Sequence, residues 1–398
     1  MTLELSPDTA SFDTAFEGSA SSRDLPPSPP TSVAVVEALA TGAPLPVFEQ
    51  DDAAAQVAEL FDEPEARARI ARVYRNTRIL RRHLAVNPLD PEFEEFSKRP
   101  ATIRERMTMF AELAAPIAID VARRATAGLD DVTEIGQLVF VTSTGFIAPG
   151  VDVSVLRALG LPPTTHRAVI NFMGCAAAMN GLRAGSDFVR ANPDRKSLVI
   201  CLELSSVNAV FGEDPIALIT HSLFGDGCGA MLLGASNVGH PQPAGSIVLR
   251  DEFSHLFDDA EDGIVLGVND DGITCELSPE LPDYIYRGVA PVIDDVLTRN
   301  KLGRDDIDLW AVHPGGPKII TESLRSLDLP DEVAAASWDV LAEYGNMLSV
   351  SLIFVLERMI AAQAAAASSS TGAVTTGLAF SFAPGVTLEG ILFDVVQG

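Results

Sequence analysis

Basic residues are scarce in this sequence. Among its 398 residues, 28 are Lys or Arg and 55 are Asp or Glu, so the formal net charge is −27 at pH 7. Nucleic acids and anionic membrane surfaces attract proteins of the opposite charge. The charge balance therefore argues against both as partners. It also makes any dense group of arginines in the chain informative.

Cysteines are also few, and their spacing excludes the common zinc motifs. The four are Cys175, Cys201, Cys228 and Cys275, with no C-x-x-C pair among them. Zinc sites and the disulfide frameworks of small secreted proteins are recognised by closely and regularly spaced cysteines. In a chain of this length we expect free thiols.

Long apolar runs are absent, because no uninterrupted segment approaches the length that spans a bilayer. The N-terminus is acidic and rich in serine, and it lacks the basic and apolar regions of a secretory signal. Residues 1–30 end in P-P-S-P-P, which predicts a flexible tail. We therefore expect a cytoplasmic protein whose folded part begins near Thr31.

The segment Val169–Gly181 predicts a strand, a turn at Gly174 and a small-residue helix that begins at Cys175. A thiol in the first turn of a helix lies near free N–H groups, whose partial positive charge favours the reactive thiolate. The alternative is a buried structural cysteine, the ordinary state of a lone Cys. From this segment alone both interpretations stay open.

Seven arginines are concentrated in a short segment after residue 66, and several are three residues apart, on one face if the segment is helical. They are Arg67, Arg69, Arg72, Arg75, Arg78, Arg81 and Arg82. A solvated helix face is the ordinary explanation of such a run. In so acidic a chain the cluster also predicts an anion site, and arginine is suited to phosphate.

Elsewhere the pattern alternates strands with crossover helices. Buried-strand patterns occur at 134–141, 198–204, 229–234 and 247–253. A Gly- and Pro-rich stretch at 238–246 precedes a second part that repeats the layout of the first and includes a strand ending at His313. The sequence therefore predicts a layered α/β fold of two similar halves, residues 31–246 and 247–398.

Cys175, His313 and Asn346 fall at strand-to-loop or loop-to-helix junctions, where sites assemble in α/β folds. A Cys–His pair can be activated as thiolate and imidazolium and carry an acyl group as a thioester. N–H groups of His313 and Asn346 could stabilise the enolate that forms when a malonyl thioester loses carbon dioxide. That enolate would attack the acyl group on Cys175 and form a carbon–carbon bond.

Two alternatives oppose this assignment. His221 also lies beside a glycine turn and is the main rival of His313. The order Cys, His, Asn is also that of papain-like proteases. Those proteases carry their cysteine in a C-G-x-C-W type of context within a disulfide-bonded secreted domain, which is absent from this sequence.

Four motifs together resemble the type III polyketide synthases, the chalcone-synthase-like family with a thiolase fold. They are N-F-M-G-C, L-F-G-D-G-C, W-A-V-H-P-G-G-P-K-I-I and Y-G-N-M-L-S-V-S. The resemblance runs from about Thr31 to the C-terminus and is closest to mycobacterial-type members that make long-chain alkyl α-pyrones. It implies that Cys175 carries the acyl group, that His313 and Asn346 bind the malonyl thioester, and that the protein is a homodimer without cofactor or metal.

The resemblance also assigns the coenzyme A side of the site. Phe224, in L-F-G-D-G, matches the gatekeeper phenylalanine between the coenzyme A tunnel and the initiation cavity. Among the basic coenzyme A contacts of the family, Arg69 and Arg72 match. The third aligns with Asn76, so Arg75 is the expected substitute, and Lys318 is expected at the tunnel mouth.

The departures from chalcone synthases indicate the starter. Cys275 replaces a second gatekeeper phenylalanine, Ala148 a methionine that reaches across the dimer interface, and Leu348 the serine after G-N-M. The family's G-F-G-P-G loop reads S-F-A-P-G here, which leaves the shape of that cavity wall open. Most of these changes exchange bulk for small side chains, which favours a long aliphatic starter over an aromatic one.

Small residues near the nucleophile predict an apolar acyl channel. The candidates are Thr144, Ala148, Ser205, Ala209 and Cys275. Close packing of helices and sheets is the alternative reason for small residues at these positions.

The expected function is that of a decarboxylating condensing enzyme. It would load a medium- to long-chain fatty acyl group from acyl-coenzyme A, extend it with two or three malonyl units and release a tri- or tetraketide α-pyrone. A ketoacyl synthase III that starts fatty-acid synthesis on a carrier protein is the alternative enzyme, although such chains are shorter. A catalytically dead scaffold of the same fold is disfavoured, because all three catalytic positions are intact.

Overall fold

The computed structural model describes residues 32–87, 101–209, 222–270, 272–366 and 374–397. The predicted tail at residues 1–30 and the rival histidine, His221, lie outside these ranges.

Thirteen strands are found in the described ranges. They are β1 (Ser32–Gly42), β2 (Val47–Glu49), β3 (Arg81–His83), β4 (Ile135–Thr142), β5 (His166–Asn171), β6 (Lys196–Leu204), β7 (Asp226–Asn237), β8 (Ile247–Leu256), β9 (Ile264–Asn269), β10 (Gly272–Leu277), β11 (Leu309–Val312), β12 (Val374–Ala383) and β13 (Thr387–Val396). Nine of them form one mixed sheet in the order β11-β12-β13-β8-β1-β7-β6-β4-β5, and the pairs β9–β10 and β2–β3 form two small antiparallel ribbons.

The same ranges contain nine α-helices. They are α1 (Gln50–Glu59), α2 (Pro64–Asn76), α3 (Ile103–Ala125), α4 (Val151–Leu159), α5 (Ala177–Ala191), α6 (Leu281–Arg299), α7 (Pro317–Leu327), α8 (Ala335–Tyr344) and α9 (Ser351–Ala366). The helices α1 and α2, with the ribbon β2–β3, form a small lobe that is called the cap below.

The sheet is covered on both faces, which explains why its strands read as continuous apolar runs. In β4, Leu138 and Phe140 pack in one apolar cluster with α3, whereas Val139 and Val141 pack in another with α5 and α9. Strands of the second half share that central cluster, and their opposite faces pack against α6 and α7. The order of the layers is therefore α3, the first part of the sheet, α5 with α9, the second part of the sheet, and α6 with α7.

Within the described ranges, one helical window, Leu348–Ala365, is long and apolar enough to cross a membrane by length and composition alone. More than half of that window is buried inside the protein. Its apolar character is what the central layer requires, because α9 contacts strands of both halves.

The nucleophile segment lies at the edge of the sheet, and its helix begins later than predicted. Its strand, β5, is the edge strand of the sheet, and Val169 in it is 49% exposed. The helix α5 begins at Ala177 rather than at Cys175, because Gly174–Ala176 form a separate 3₁₀ turn.

Candidate active site

Cys175 lies in the middle of the 3₁₀ turn Gly174–Ala176, between β5 and α5. Gly174 has φ +58°, a left-handed conformation that glycine adopts without strain. Its N–H donates to Oγ of Ser143, at the end of β4, over 3.0 Å. The turn that carries the thiol is therefore fixed to the neighbouring strand end.

Asn346 lies in the connection between α8 and α9, and almost every polar group it has is bonded. Its backbone N–H donates to Leu223 O over 2.8 Å, and its backbone O accepts from Gly225 N over 2.9 Å. Its Oδ1 accepts from Leu348 N over 2.8 Å, and its Nδ2 donates to Gly315 O over 3.2 Å. The same Nδ2 lies 4.0 Å from Sγ of Cys175, so one amide hydrogen is available on the side of the thiol.

His313 follows β11 and is fixed by its backbone, since its N–H donates to Phe380 O over 3.0 Å. The imidazole ring leaves no room for a side chain at Gly315, because a Cβ there would lie 3.0 Å from Nε2 of His313. Within the described residues neither ring nitrogen of His313 has a hydrogen-bond partner, although the residue is 2% exposed. Neither nitrogen is thus engaged by another protein group, so the imidazole can bond a substrate.

Burial sets the charge of the thiol and the imidazole. It raises the pKa of Cys175 far above the usual range of a thiol, and the Asn346 amide opposes that rise only in part. Burial also lowers the pKa of His313 to about 3. Desolvation in the cavity thus opposes the stabilisation of a thiolate by the helix N–H groups, and it favours the neutral forms of both side chains.

One cavity collects the three predicted catalytic residues. Its walls hold Cys175, His313 and Asn346, and they surround about 480 Å³ of space, part of it open to solvent. Apolar side chains form most of the remaining wall, namely Phe224, Ile264, Leu266, Leu277, Leu281, Ile319, Leu348 and Phe382, together with Cys275. This is called the catalytic cavity below.

A second cavity lies beyond Phe224 and Cys275, the two side chains that line both spaces. It encloses about 840 Å³ of empty space, part of it open to solvent. Of the residues predicted to line an acyl channel, Thr144, Ser205 and Ala209 line this second cavity. Ala148 is exposed and lines neither space.

The arginine run does not form one helical face. Arg69, Arg72 and Arg75 lie on α2, where Arg69 is half-buried and the other two are exposed. The helix ends at Asn76, and Arg82 lies on β3 with only 4% of its surface exposed. Arg82 is therefore excluded from any surface anion site, because its guanidinium bonds to groups inside the protein.

Lys318, the other predicted coenzyme A contact, is exposed in the first turn of α7. The loop that carries His313 leads directly into this helix. The lysine lines neither cavity.

Glu203 is a residue of this region that sequence reasoning missed. It is fully buried at the end of β6 and accepts hydrogen bonds from Ser143 N at 2.9 Å, Thr144 Oγ1 at 2.8 Å and Ser349 Oγ at 2.5 Å. Ser143 also bonds the turn of Cys175, and Ser349 belongs to the segment of Asn346. Glu203 therefore ties together the loops that carry the thiol and the amide.

Family models match most of the chain. The model "Chalcone and stilbene synthases, N-terminal domain" covers residues 29–237, and the model of the C-terminal domain covers residues 251–397. The chain is a type III polyketide synthase. It is a condensing acyltransferase, and its substrates are acyl-coenzyme A and malonyl-coenzyme A.

Relatives and solved structures agree with this assignment. "Alpha-pyrone synthesis polyketide synthase-like Pks18" of Mycobacterium tuberculosis is 59% identical over 374 residues, 94% of each chain. The crystal structure of PKS-I from the brown alga Ectocarpus siliculosus superposes with a TM-score of 0.86 at 40% identity, and covers 92% of this synthase and 99% of PKS-I. The type III domain of Steely1 from Dictyostelium gives a TM-score of 0.82 at 25% identity with the same coverage. The predicted thiolase-like fold is thereby confirmed.

Proposed function

We propose that this synthase loads a medium- to long-chain fatty acyl group onto Cys175, extends it with two or three malonyl units and releases a tri- or tetraketide alkyl α-pyrone. The observation that carries the proposal is the second cavity, which adjoins the catalytic cavity at Phe224 and Cys275 and has the small side chains of Thr144, Ser205 and Ala209 in part of its wall. The name of the relative from Mycobacterium tuberculosis, which refers to α-pyrone synthesis, supports the product class.

In the loading step, the neutral imidazole of His313 accepts the proton of the Cys175 thiol as sulfur attacks the acyl thioester. His313 can accept the proton because burial leaves its imidazole unprotonated. The carbon–sulfur bond to coenzyme A breaks, and the imidazolium returns the proton to the departing coenzyme A thiolate. Cys175 is then acylated and His313 is neutral again, and exchange with solvent protons after coenzyme A has left places its single ring proton on Nε2.

In the extension step, malonyl-coenzyme A places its thioester carbonyl against Nε2–H of His313 and Nδ2–H of Asn346. Carbon dioxide leaves, and the two donors stabilise the enolate oxygen that results. The enolate carbon attacks the acyl group on Cys175, so a carbon–carbon bond forms and the Cys175 sulfur is released. Four hydrogen bonds fix the backbone and side chain of Asn346, and they support this role. A fixed Nδ2–H donor needs no reorganisation during the reaction.

The alkyl chain of the starter occupies the second cavity. Each buried CH₂ group contributes about 0.8 kcal/mol, although ordering the chain offsets part of that gain. The small side chains of Thr144, Ser205, Ala209 and Cys275 leave the necessary width. Phe224 lies between the two spaces, so we assign it as the gate to the alkyl chain's cavity rather than to the coenzyme A tunnel that the resemblance implies.

Coenzyme A is bound from outside by basic side chains of α2 and α7, namely Arg69, Arg72, Arg75 and Lys318. Arginine binds phosphate through charge-assisted hydrogen bonds.

The synthase is a cytoplasmic homodimer. The exposed edge strand β5, with Val169 at 49% and the nearby Phe146 at 38% exposure, supports a partner surface beside Cys175. Light scattering should give twice the 42.2 kDa of one chain, and a monomer at micromolar concentration would refute the dimer.

The test is an incubation with radiolabelled malonyl-coenzyme A and lauroyl-coenzyme A without carrier protein. We expect tri- or tetraketide pyrones from the wild type. Cys175→Ala should yield no pyrone but still decarboxylate malonyl-coenzyme A, whereas His313→Ala or Asn346→Ala should slow decarboxylation by roughly 10²–10³-fold. A strict requirement for carrier protein, or normal condensation by Cys175→Ala, would refute the proposal.

A further inference from the structure

Arg82 occupies an unusual place for a cation. It lies on β3 in the cap with 4% of its surface exposed, and it lines the second cavity. Arginine is almost never buried this deeply unless the structure bonds its guanidinium. Nothing in the condensation chemistry uses this side chain directly.

One end of the Arg82 guanidinium bonds to the backbone of the gate residue, Phe224. Its Nη1 donates to the backbone O of Phe224 over 2.9 Å. Its Cγ and Cδ pack on Gly345, where a Cβ would lie only 3.0–3.1 Å from them. Gly345 has φ +71° and directly precedes Asn346, so one side chain contacts both the gate and the segment of the oxyanion donor.

The gate and the Asn346 segment are also bonded to each other. Phe224 and Asn346 form an isolated parallel bridge, closed by the hydrogen bonds of Asn346 N to Leu223 O and of Gly225 N to Asn346 O. A displacement of the gate backbone therefore displaces the Asn346 amide as well.

The Nε of Arg82 bonds to a residue of the cap, Gln50. Its Nε donates to Oε1 of Gln50 over 3.0 Å, and Nε2 of Gln50 donates to Thr77 Oγ1 over 3.1 Å and to Ser222 O over 2.7 Å. Gln50 begins α1, and Thr77 is the C-cap of α2. The Arg82–Gln50 pair thus connects both cap helices to the backbone on either side of Leu223.

We infer that Arg82 is a positioning residue that fixes the Phe224 gate and the Asn346 amide relative to the cap, and through them sets starter selection and malonyl decarboxylation. The planar guanidinium suits this task, since its donors reach Gln50 and Phe224 in fixed directions, which an ammonium does not reproduce. The inference rests on the proposed function for the gate role of Phe224. Its part in decarboxylation is independent of the starter.

The test compares Arg82→Lys with Arg78→Lys in the full-length protein. Arg78 is an exposed arginine of the same segment that lies over the Trp338 ring. For malonyl-coenzyme A decarboxylation without starter, Arg82→Lys should lower kcat about tenfold and leave KM within about twofold, because a misplaced donor weakens the transition state more than binding. Arg78→Lys should match the wild type. Equal values for the two variants would overturn the inference.

The gate is tested with a double-mutant cycle. We expect Arg82→Lys to change the ratio of kcat/KM for lauroyl- and hexanoyl-coenzyme A about fivefold with Phe224 present and less than about twofold in a Phe224→Ala background. An equal change in both backgrounds would show a general structural effect and overturn the gate role. Failure of the wild type with both starters would instead refute the proposed function and leave the decarboxylation test valid.

Gln50→Glu provides a second variant in case Arg82→Lys does not fold. It keeps the acceptor for Nε of Arg82 and removes the two donors that reach Thr77 and Ser222. We expect Gln50→Glu to lower kcat for decarboxylation and to change the starter ratio in the same direction as Arg82→Lys, in each case by a smaller factor. A folded Gln50→Glu protein with wild-type kcat and an unchanged starter ratio would overturn the inference.

Discussion

Burial in the catalytic region favours the neutral form of the ionisable side chains around Cys175. It raises the pKa of the thiol, lowers the pKa of His313 to about 3 and raises the pKa of Glu203 to about 7, although Glu203 accepts several hydrogen bonds. Desolvation is the leading cause in all three cases. A neutral surrounding suits an enolate intermediate, because no strong acid is nearby to protonate it.

The Glu203 carboxyl gives a pH dependence of stability. Its pKa is raised from 4.5 to about 7 by folding, so the folded state holds the proton more tightly than the unfolded state. The protonated Glu203 contributes up to about 3 kcal/mol to the free energy of unfolding. This contribution is complete below pH 4.5 and is lost as the pH rises to about 7. Glu203→Gln should remove this loss. Chemical denaturation at several pH values between 4.5 and 7.5 measures it.

The exposed Glu332→Gln is the matched control, and its free energy of unfolding should follow the wild type across the same range. The account of Glu203 is contradicted if the Glu203→Gln protein and the wild type lose stability in parallel between these pH values.

Residues such as Glu203 and Arg82 show what the sequence leaves open. Glu203 is the single acid in the apolar run 198–204, and that signal alone predicts a buried carboxyl. Its partners, Ser143 and Ser349, are far apart in sequence, so the bonds could not be predicted. Arg82 is indistinguishable in sequence from its exposed neighbours, because its burial depends on contacts with Gln50 and Phe224.

At the level of elements, local patterns predict the large strands well. Apolar runs specify β4, β6, β7 and β8 because these strands are covered on both faces. The short ribbon β2–β3 has no comparable pattern, and each of its strands is three residues long. The 3₁₀ turn around Cys175 was also missed, since the small residues that follow are good helix formers.

The helix α2 carries the prediction for coenzyme A binding. Arg69→Ala and Arg72→Ala should each raise KM for coenzyme A thioesters through the loss of a charge-assisted bond of roughly 1.5–3 kcal/mol. Turnover of the matching N-acetylcysteamine thioester, which has no phosphates, should stay nearly unchanged. Steady-state kinetics with both substrates measure the difference.

Arg123→Ala on α3 is the control, and it should affect neither substrate. If the α2 variants change KM for both thioester types equally, the arginines form only a solvated helix face.

At the level of the whole molecule, the two halves are joined through strand pairing of β1 with β8 and through the central layer of α5 and α9. The predicted layering is explained by this arrangement, in which one half supplies Cys175 and the other His313 and Asn346. The second cavity could not be predicted from sequence. Its walls come from the cap, from the turn that follows β6, and from β10. These elements are far apart in sequence, and the cavity exists only because the fold brings them together.

The central claim is that the second cavity holds a fatty chain. The most direct measurement is the dependence of kcat/KM on starter length, from hexanoyl- to palmitoyl-coenzyme A, for the wild type, Ala209→Phe and Cys275→Phe. Ala55→Phe, on the exposed side of α1, is the matched control. The account predicts that the wild type and the control favour long starters, and that both filled variants retain hexanoyl-coenzyme A while losing lauroyl- and palmitoyl-coenzyme A. An equal loss for short and long starters in folded variants, or a wild type that prefers short or aromatic starters, would contradict it.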